Sequence, residues 1–149
     1  MSDETQTGAL EIQQRYPHPV EDVFTAWSDP SHVKPWWGPK DFFAEEFECD
    51  FREGGAWHAV IVGPDGKPFK QSGHYTRIEP NRLIAFTFKW DDADSPKTDI
   101  TVAFSGEGDA TLVTFRQAPF SSDESRRSHE GGWRECLDRL ADDLKGAGK

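Results

Sequence analysis

The sequence predicts an α+β fold in which a curved antiparallel sheet lies against one long C-terminal helix. Nearly everything between residues 40 and 117 has the pattern of strands, and the only long helical period follows it, from Ser121 to Lys145. Short turns join the strands, which indicates antiparallel pairing because parallel crossovers need a dozen or more residues. A helix laid across such a sheet can leave a hollow, and a hollow indicates a small apolar ligand.

The first elements are a strand and two short helices. Ala9 to Tyr16 reads as a strand, and Pro19 suits the first turn of a helix that covers Val20 to Trp27. Asp29-Pro30 breaks that helix. A second short helix is predicted over Ser31 to Trp37, stopped by the Gly-Pro pair that follows it.

Six further strands complete the predicted sheet. In the first of them Phe43, Phe47, Cys49 and Phe51 alternate with polar or small residues, which predicts one apolar face. An acidic loop is expected over Asp91 to Pro96. The predicted strands cover Phe43 to Phe51, Trp57 to Val62, Phe69 to Glu79, Leu83 to Trp90, Asp99 to Phe104 and Ala110 to Gln117.

The long helix has one apolar stripe and one charged face. The stripe consists of residues three or four apart: Trp133, Cys136, Leu137, Leu140 and Leu144. Charged pairs at i,i+4 mark the solvated side: Glu130/Arg134, Arg134/Asp138 and Glu135/Arg139. Gly131-Gly132 interrupts the helix, and each glycine costs about 1 kcal/mol relative to alanine. The pair therefore indicates close packing on the sheet or a bend over an opening.

Composition limits the class of protein. The 149 residues predict one domain over 8–145, with a disordered N-terminus at 1–7. The formal net charge of −10 disfavours nucleic acid and anionic membranes as partners. Cys49 and Cys136 are expected to be free thiols in a reducing cytosol, and no signal peptide or membrane span is visible, so a cytoplasmic protein is predicted. A homodimer is the commonest oligomer on general grounds.

No motif predicts a catalytic residue, a metal or a cofactor. The five histidines, His18, His32, His58, His74 and His129, match no metal-ligand spacing, and neither do the cysteines. Residues 105–108, Ser-Gly-Glu-Gly, are expected to form a turn between strands and fit neither a nucleophile elbow nor a dinucleotide fingerprint. Glu45, Glu46 and Glu48 could supply a general acid, but no base is placed beside them, and a solvated strand face explains them better.

The aromatic content is the main anomaly. Eleven Phe, six Trp and two Tyr make up 13% of a chain of low hydrophobicity. Such rings fill cores, and they also line cavities. Trp36 and Trp37 either plug the core or close a cavity mouth, and Trp133 is either core filler or cavity wall.

Four stretches, 19–39, 47–58, 72–90 and 129–144, together resemble a known family. It is the single-domain family named for the activator of the ninety-kilodalton heat-shock chaperone's ATPase, in the START-like (helix-grip, SRPBCC or birch-pollen-allergen-like) superfamily. The resemblance implies a curved seven-stranded antiparallel sheet that grips the C-terminal helix around a cavity, with two short helices after the first strand. The family is functionally mixed, so fold does not fix function.

The predicted function is binding of a small hydrophobic or aromatic molecule in that cavity. The expected ligand-binding residues are Trp57, Phe86, Phe88 and Trp133, with His74 or His129 as polar contacts. A one-residue register error would reverse which strand residues point inward. Two alternatives stay open: a co-chaperone for the heat-shock ATPase, for which a separate N-terminal chaperone-binding domain is missing, and a cyclase or hydrolase of the superfamily.

Overall fold

The computed structural model describes residues 8–91, 97–120 and 122–147. The predicted order of strand, two short helices, six strands and a long helix is confirmed in this part of the chain. The predicted disordered residues 1–7 and most of the predicted acidic loop lie outside the described residues. The elements are β1 (Leu10–Tyr16), α1 (Val20–Ser28), α2 (Pro30–Val33), β2 (Phe43–Cys49), β3 (Ala56–Val62), β4 (Pro68–Glu79), β5 (Leu83–Trp90), β6 (Thr98–Glu107), β7 (Ala110–Ala118) and α3 (Asp123–Ala147).

The strands form one seven-stranded antiparallel sheet in the order β1-β7-β6-β5-β4-β3-β2. Six hairpin-connected strands follow chain order, and β1 joins the far edge beside β7. The sheet curls into a half-barrel whose concave face receives α3. Inward-facing residues of β5 and β6, such as Ile84, Phe86, Ile100 and Val102, are at most 4% exposed. The core therefore lies between the sheet and the helices.

The expected apolar face of β2 is wrong at its first residue. Phe43 is 53% exposed, whereas its neighbour Ala44 is buried, and so is Phe47 further along the strand. The pairing with β3 shifts between Ala44 and Glu46, which is a β-bulge. An extra residue reverses the inward and outward alternation on one side of the bulge, so simple alternation assigns Phe43 to the wrong face.

The second short helix is shorter than predicted. The side chain of Asp29 accepts a hydrogen bond from the Ser31 backbone N–H at 3.0 Å and caps α2, which ends at Val33 rather than at Trp37. The chain then continues in turns, and these turns place Trp36 in the core at 0% exposure. The rings of Trp27 and Trp36 lie edge to face, 4.8 Å apart.

The C-terminal half of α3 is anchored on the sheet. Leu137 and Leu140 are fully buried, and Leu144 is 5% exposed. Tyr16 of β1 donates its hydroxyl to the Leu137 carbonyl at 3.1 Å. Burial raises the pKa of Tyr16 far above its usual value, because the phenolate would lose its solvation. Tyr16 is therefore a neutral hydrogen-bond donor that helps to hold α3 in position against β1.

Alanine substitution should change the free energy of unfolding in opposite directions at two glycines, Gly131 in α3 and Gly38 in the loop after α2. A Cβ at Gly131 would meet no atom within 4 Å, so Gly131→Ala should raise the free energy of unfolding by about 1 kcal/mol. Gly38 has φ = +109°, where an L side chain is strained, so Gly38→Ala should lower it by about 1 kcal/mol or more. Denaturant titration measures both, and equal signs would contradict the prediction.

Candidate functional site

A pocket of about 590 Å³, partly open to solvent, lies beneath the N-terminal half of α3. Its volume is in the range of sites that hold drug-sized molecules, about 300–1,000 Å³. Four segments form it: the loop after α2, the start of β4, the end of β5 and the first turns of α3. Its lining residues are Trp37, Gly38, Pro39, Pro68, Phe69, Lys70, Gln71, Phe88, Trp90, Ser128, His129, Gly132, Trp133 and Cys136.

Aromatic rings that pack against one another form the deep end of the pocket. Trp37, Phe88 and Trp133 are 3%, 3% and 7% exposed. The ring of Trp37 lies 5.3 Å from that of Trp133 at an interplanar angle of 81°, and Phe88 lies 6.0 Å from Trp133. Edge-to-face contacts of this kind stabilise ring pairs beyond their buried area. The floor is therefore preformed by protein packing.

A buried chain of hydrogen bonds holds Trp133 in place. Its indole N–H donates to the side-chain oxygen of Gln117 at 2.9 Å, and the Gln117 amide nitrogen donates to the Thr98 hydroxyl at 2.9 Å. Thr98 in turn donates to the Phe88 carbonyl at 3.3 Å. Gln117 is 0% exposed, so each partner satisfies a group that water does not reach. The chain ties the α3 wall of the pocket to β5, β6 and β7.

Gln71 is the polar side chain at the floor. It is 4% exposed and accepts a hydrogen bond from the indole N–H of Trp37 at 2.9 Å. Because an indole nitrogen only donates, this contact assigns the oxygen of the Gln71 amide to Trp37 and leaves the amide nitrogen on the other side. Lys70, its neighbour in β4, is exposed, as the alternation of a strand requires.

His129 fastens Trp90 at the pocket mouth. Its Nδ1 lies 2.8 Å from the Ser125 carbonyl, and its Nε2 lies 3.0 Å from the indole nitrogen of Trp90. The carbonyl only accepts and the indole only donates, so Nδ1 carries the proton and Nε2 accepts. Both ring nitrogens are engaged by the protein, and His129 has none left for a ligand in this arrangement.

Arg139 holds the loop that forms one wall of the pocket. Its guanidinium donates to four backbone carbonyls at 2.8–3.3 Å, those of Pro35, Gly38, Pro39 and Phe42. The predicted i,i+4 pair between Glu135 and Arg139 is therefore wrong. Glu135 instead accepts from the Lys40 backbone N–H at 3.1 Å, so two residues of α3 fix the same loop.

Cys136 is a wall residue without nucleophilic character. Its thiol donates to the Trp36 carbonyl at 3.4 Å, and burial raises its pKa to about 12. A thiol with that pKa carries almost no thiolate at neutral pH. The residues that the structure describes contain no group of three or more His, Cys, Asp or Glu side chains placed to hold a metal ion.

The structure brings three of the six expected site residues together at the pocket: Phe88, His129 and Trp133. Trp57 and Phe86 are 3% and 4% exposed and belong to the adjoining core, where Trp57 donates to the Thr87 carbonyl at 3.0 Å. His74 is exposed because Tyr75, the next residue in β4, points inward. These three expected residues therefore do not line the pocket, and ligand binding at the other three stays a prediction.

Sequence reasoning missed three aromatic and polar residues of the lining: Phe69, Gln71 and Trp90. Of the two interpretations of the tryptophan pair, core packing applies to Trp36, whereas Trp37 lies at the floor of the pocket rather than closing its mouth. Phe69 and Gln71 occupy alternate positions of β4, on the face that turns toward the helix. A polar residue at an inward strand position is the signal that points to Gln71.

Comparison with known proteins identifies the family. Residues 17–145 match the model of the activator of Hsp90 ATPase homolog 1-like protein family. The chain belongs to this family. Membership supports a ligand-binding fold in general. No curated protein matches the chain.

Several solved structures share the fold. The AHSA1 protein from Silicibacter pomeroyi is 26% identical with a TM-score of 0.84, and the match covers 92% of this chain and 97% of that chain. A protein from Arthrobacter aurescens is 25% identical with a TM-score of 0.83, covering 95% and 88%. CalU16 from Micromonospora echinospora is 29% identical with a TM-score of 0.69, covering 91% and 75%. These likenesses confirm the helix-grip fold.

Within the described residues, no helix combines the length and the apolar character needed to cross a membrane. The predicted cytoplasmic location stays a prediction.

The hydrogen bond between Trp133 and Gln117 gives a second stability prediction. Trp133→Phe keeps a ring but leaves the buried Gln117 oxygen without its donor, so it should lower the free energy of unfolding by about 1–3 kcal/mol. In a Gln117→Met background the same change should cost clearly less, because no orphan acceptor remains. Denaturant unfolding of the four proteins measures the coupling, and additive effects would contradict it.

A third prediction concerns the loop that Arg139 holds. Arg139→Met should lower the free energy of unfolding by about 1.5–3 kcal/mol and speed amide hydrogen exchange across residues 35–42. The control is Arg134→Met, since Arg134 pairs only with Glu130 on the exposed face of α3 among the described residues. That change should stay within about 0.5 kcal/mol. Unchanged exchange in the Arg139 variant would show that the loop holds its place without it.

Proposed function

We propose that the protein binds a small hydrophobic or aromatic molecule in the pocket beneath α3. The observation that carries the proposal is a preformed space of about 590 Å³ whose floor consists of aromatic rings and a single amide. Apolar ligands gain about 25 cal/mol for each Å² of apolar surface removed from water. A rigid floor adds to this, because less side-chain freedom is lost when a ligand arrives.

The mouth of the pocket favours the same class of ligand. Phe69 is 40% exposed at the rim, and its ring lies 6.3 Å from Trp90 and 6.1 Å from Phe42. These three rings continue the aromatic lining of the pocket out to its rim. The floor residues Trp37, Gln71, Phe88 and Trp133 carry no charge, which suits an apolar molecule.

The decisive measurement combines ligand screening with a variant that fills the pocket. At 100 times its Kd, a specific ligand should stabilise the protein by about 2.7 kcal/mol, which raises the melting temperature by roughly 5–10 °C. Gly132→Leu should abolish this shift. A Cβ at Gly132 would sit 3.5 Å from Pro39, an ordinary contact, and we expect the longer leucine side chain to extend into the pocket that both residues line.

Gly131→Leu is the matched control, because it makes the same chemical change one residue away, where a Cβ meets nothing within 4 Å. It should bind ligand as the wild type does. A broad screen of lipids, aromatics and polyketide-like compounds with no thermal shift would contradict the proposal. So would a ligand whose shift survives in Gly132→Leu. Saturable stimulation of the host's Hsp90 ATPase would favour the co-chaperone function instead.

A further inference from the structure

The pocket contains one buried donor, the side-chain amide of Gln71, for which the described residues supply no acceptor. Gln71 is 4% exposed, lines the pocket, and commits its side-chain oxygen to Trp37. No described residue accepts a hydrogen bond from its amide nitrogen, and that nitrogen is not among the polar atoms sealed inside the protein without a partner. The nitrogen is therefore partly accessible, and because Gln71 lines the pocket, we take the pocket as the space to which it is open.

The other polar groups of the lining are already occupied or lie at the rim. Both ring nitrogens of His129 are engaged, by Ser125 and Trp90. The Cys136 thiol donates to the Trp36 carbonyl. Ser128 and Lys70 are exposed at the mouth. The amide nitrogen of Gln71 is thus the donor that the deep end of the pocket has left for a ligand.

The same end of the pocket holds no charged side chain among its lining residues. An unpaired charge moved into such surroundings costs several kcal/mol, whereas a neutral acceptor that meets a waiting donor costs little. We propose that the pocket selects molecules with an apolar, preferably aromatic, body and an uncharged hydrogen-bond acceptor at the buried end, which the amide nitrogen of Gln71 binds. The inference rests on the proposed function and names the chemical class of its ligand.

Three matched probes test it: 2-acetylnaphthalene, 2-isopropenylnaphthalene and 2-naphthoate. The first two have nearly the same shape, but only the ketone carries an acceptor. The ketone should bind about two- to tenfold more tightly than the hydrocarbon, the usual net effect of one hydrogen bond. The naphthoate anion should bind at least about tenfold more weakly than the ketone. Titration calorimetry at neutral pH measures all three.

Gln71→Met removes the donor at nearly constant volume. The ketone and the hydrocarbon should then bind with about equal affinity, and the hydrocarbon should still bind. The retained hydrocarbon binding shows that the variant is folded. If loss of the acceptor for Trp37 unfolds it, Gln71→Leu combined with Trp37→Phe removes both partners and leaves no orphan polar group. The double variant should likewise lose its preference for the ketone over the hydrocarbon.

Equal binding of ketone and hydrocarbon to the wild type would overturn this inference and leave the proposed function intact. A ketone preference that survives Gln71→Met would assign the donor elsewhere and overturn it too. Tighter binding of naphthoate than of the ketone would overturn the requirement for an uncharged end. If no probe binds, and Gly132→Leu behaves as the wild type in every assay, the proposed function fails together with the inference.

Discussion

The seating of α3 on the concave face of the sheet is the constraint on which the rest of the structure depends. Buried leucines pack the C-terminal half of α3 against the sheet, and the Tyr16 hydroxyl donates a hydrogen bond to the Leu137 carbonyl. The N-terminal half of α3 carries Gly132 over the pocket, where a larger apolar side chain would take up part of the open volume. One helix therefore closes the core at one end and leaves the pocket at the other.

Aromatic rings form most of the pocket floor, and buried hydrogen bonds behind them hold these rings in place. Behind Trp133 runs a buried chain through Gln117 and Thr98, and Gln71 holds Trp37. Low dielectric surroundings strengthen such bonds and make an unpaired member costly. The polar groups thereby fix ring orientations that hydrophobic packing alone would leave free to adjust. Arg139 does the same for the loop wall by collecting carbonyls that have no partner in a helix or strand.

Most of the fold could be predicted from the sequence because its long elements have clear periods. The stripe from Trp133 to Leu144 predicts α3, and the alternation of Ile84, Phe86 and Phe88 predicts β5. The bulge in β2 could not be predicted, since an inserted residue leaves no mark on local propensity and reverses the face of Phe43. The end of α2 at Val33 depends on tertiary packing of the tryptophans that follow.

The candidate site was less predictable than the fold, because it depends on contacts between residues far apart in the chain. The partner of Arg139 is a loop about a hundred residues away, and helical spacing pointed to Glu135 instead. Phe88, His129 and Trp133 could be found because they lie on strongly periodic elements. Trp57, Phe86 and His74 were placed by the same reasoning, but the depth of the first two in the core and the register of β4 exclude them from the lining.

Five of the six indoles form an unbroken series of contacts from the deepest core to the pocket. Ring centroids are 4.8 Å apart for Trp27 and Trp36, 5.9 Å for Trp36 and Trp37, and 5.3–5.6 Å from Trp37 to Trp133 and Trp57. Excited-state energy passes readily between indoles at such separations, so the cluster emits as a coupled chromophore rather than as independent ones. Quenching of one member by a contacting molecule is then expected to lower the emission of its neighbours too. The intrinsic fluorescence of Trp37 and Trp133 therefore offers a label-free way to ask whether a molecule enters the pocket.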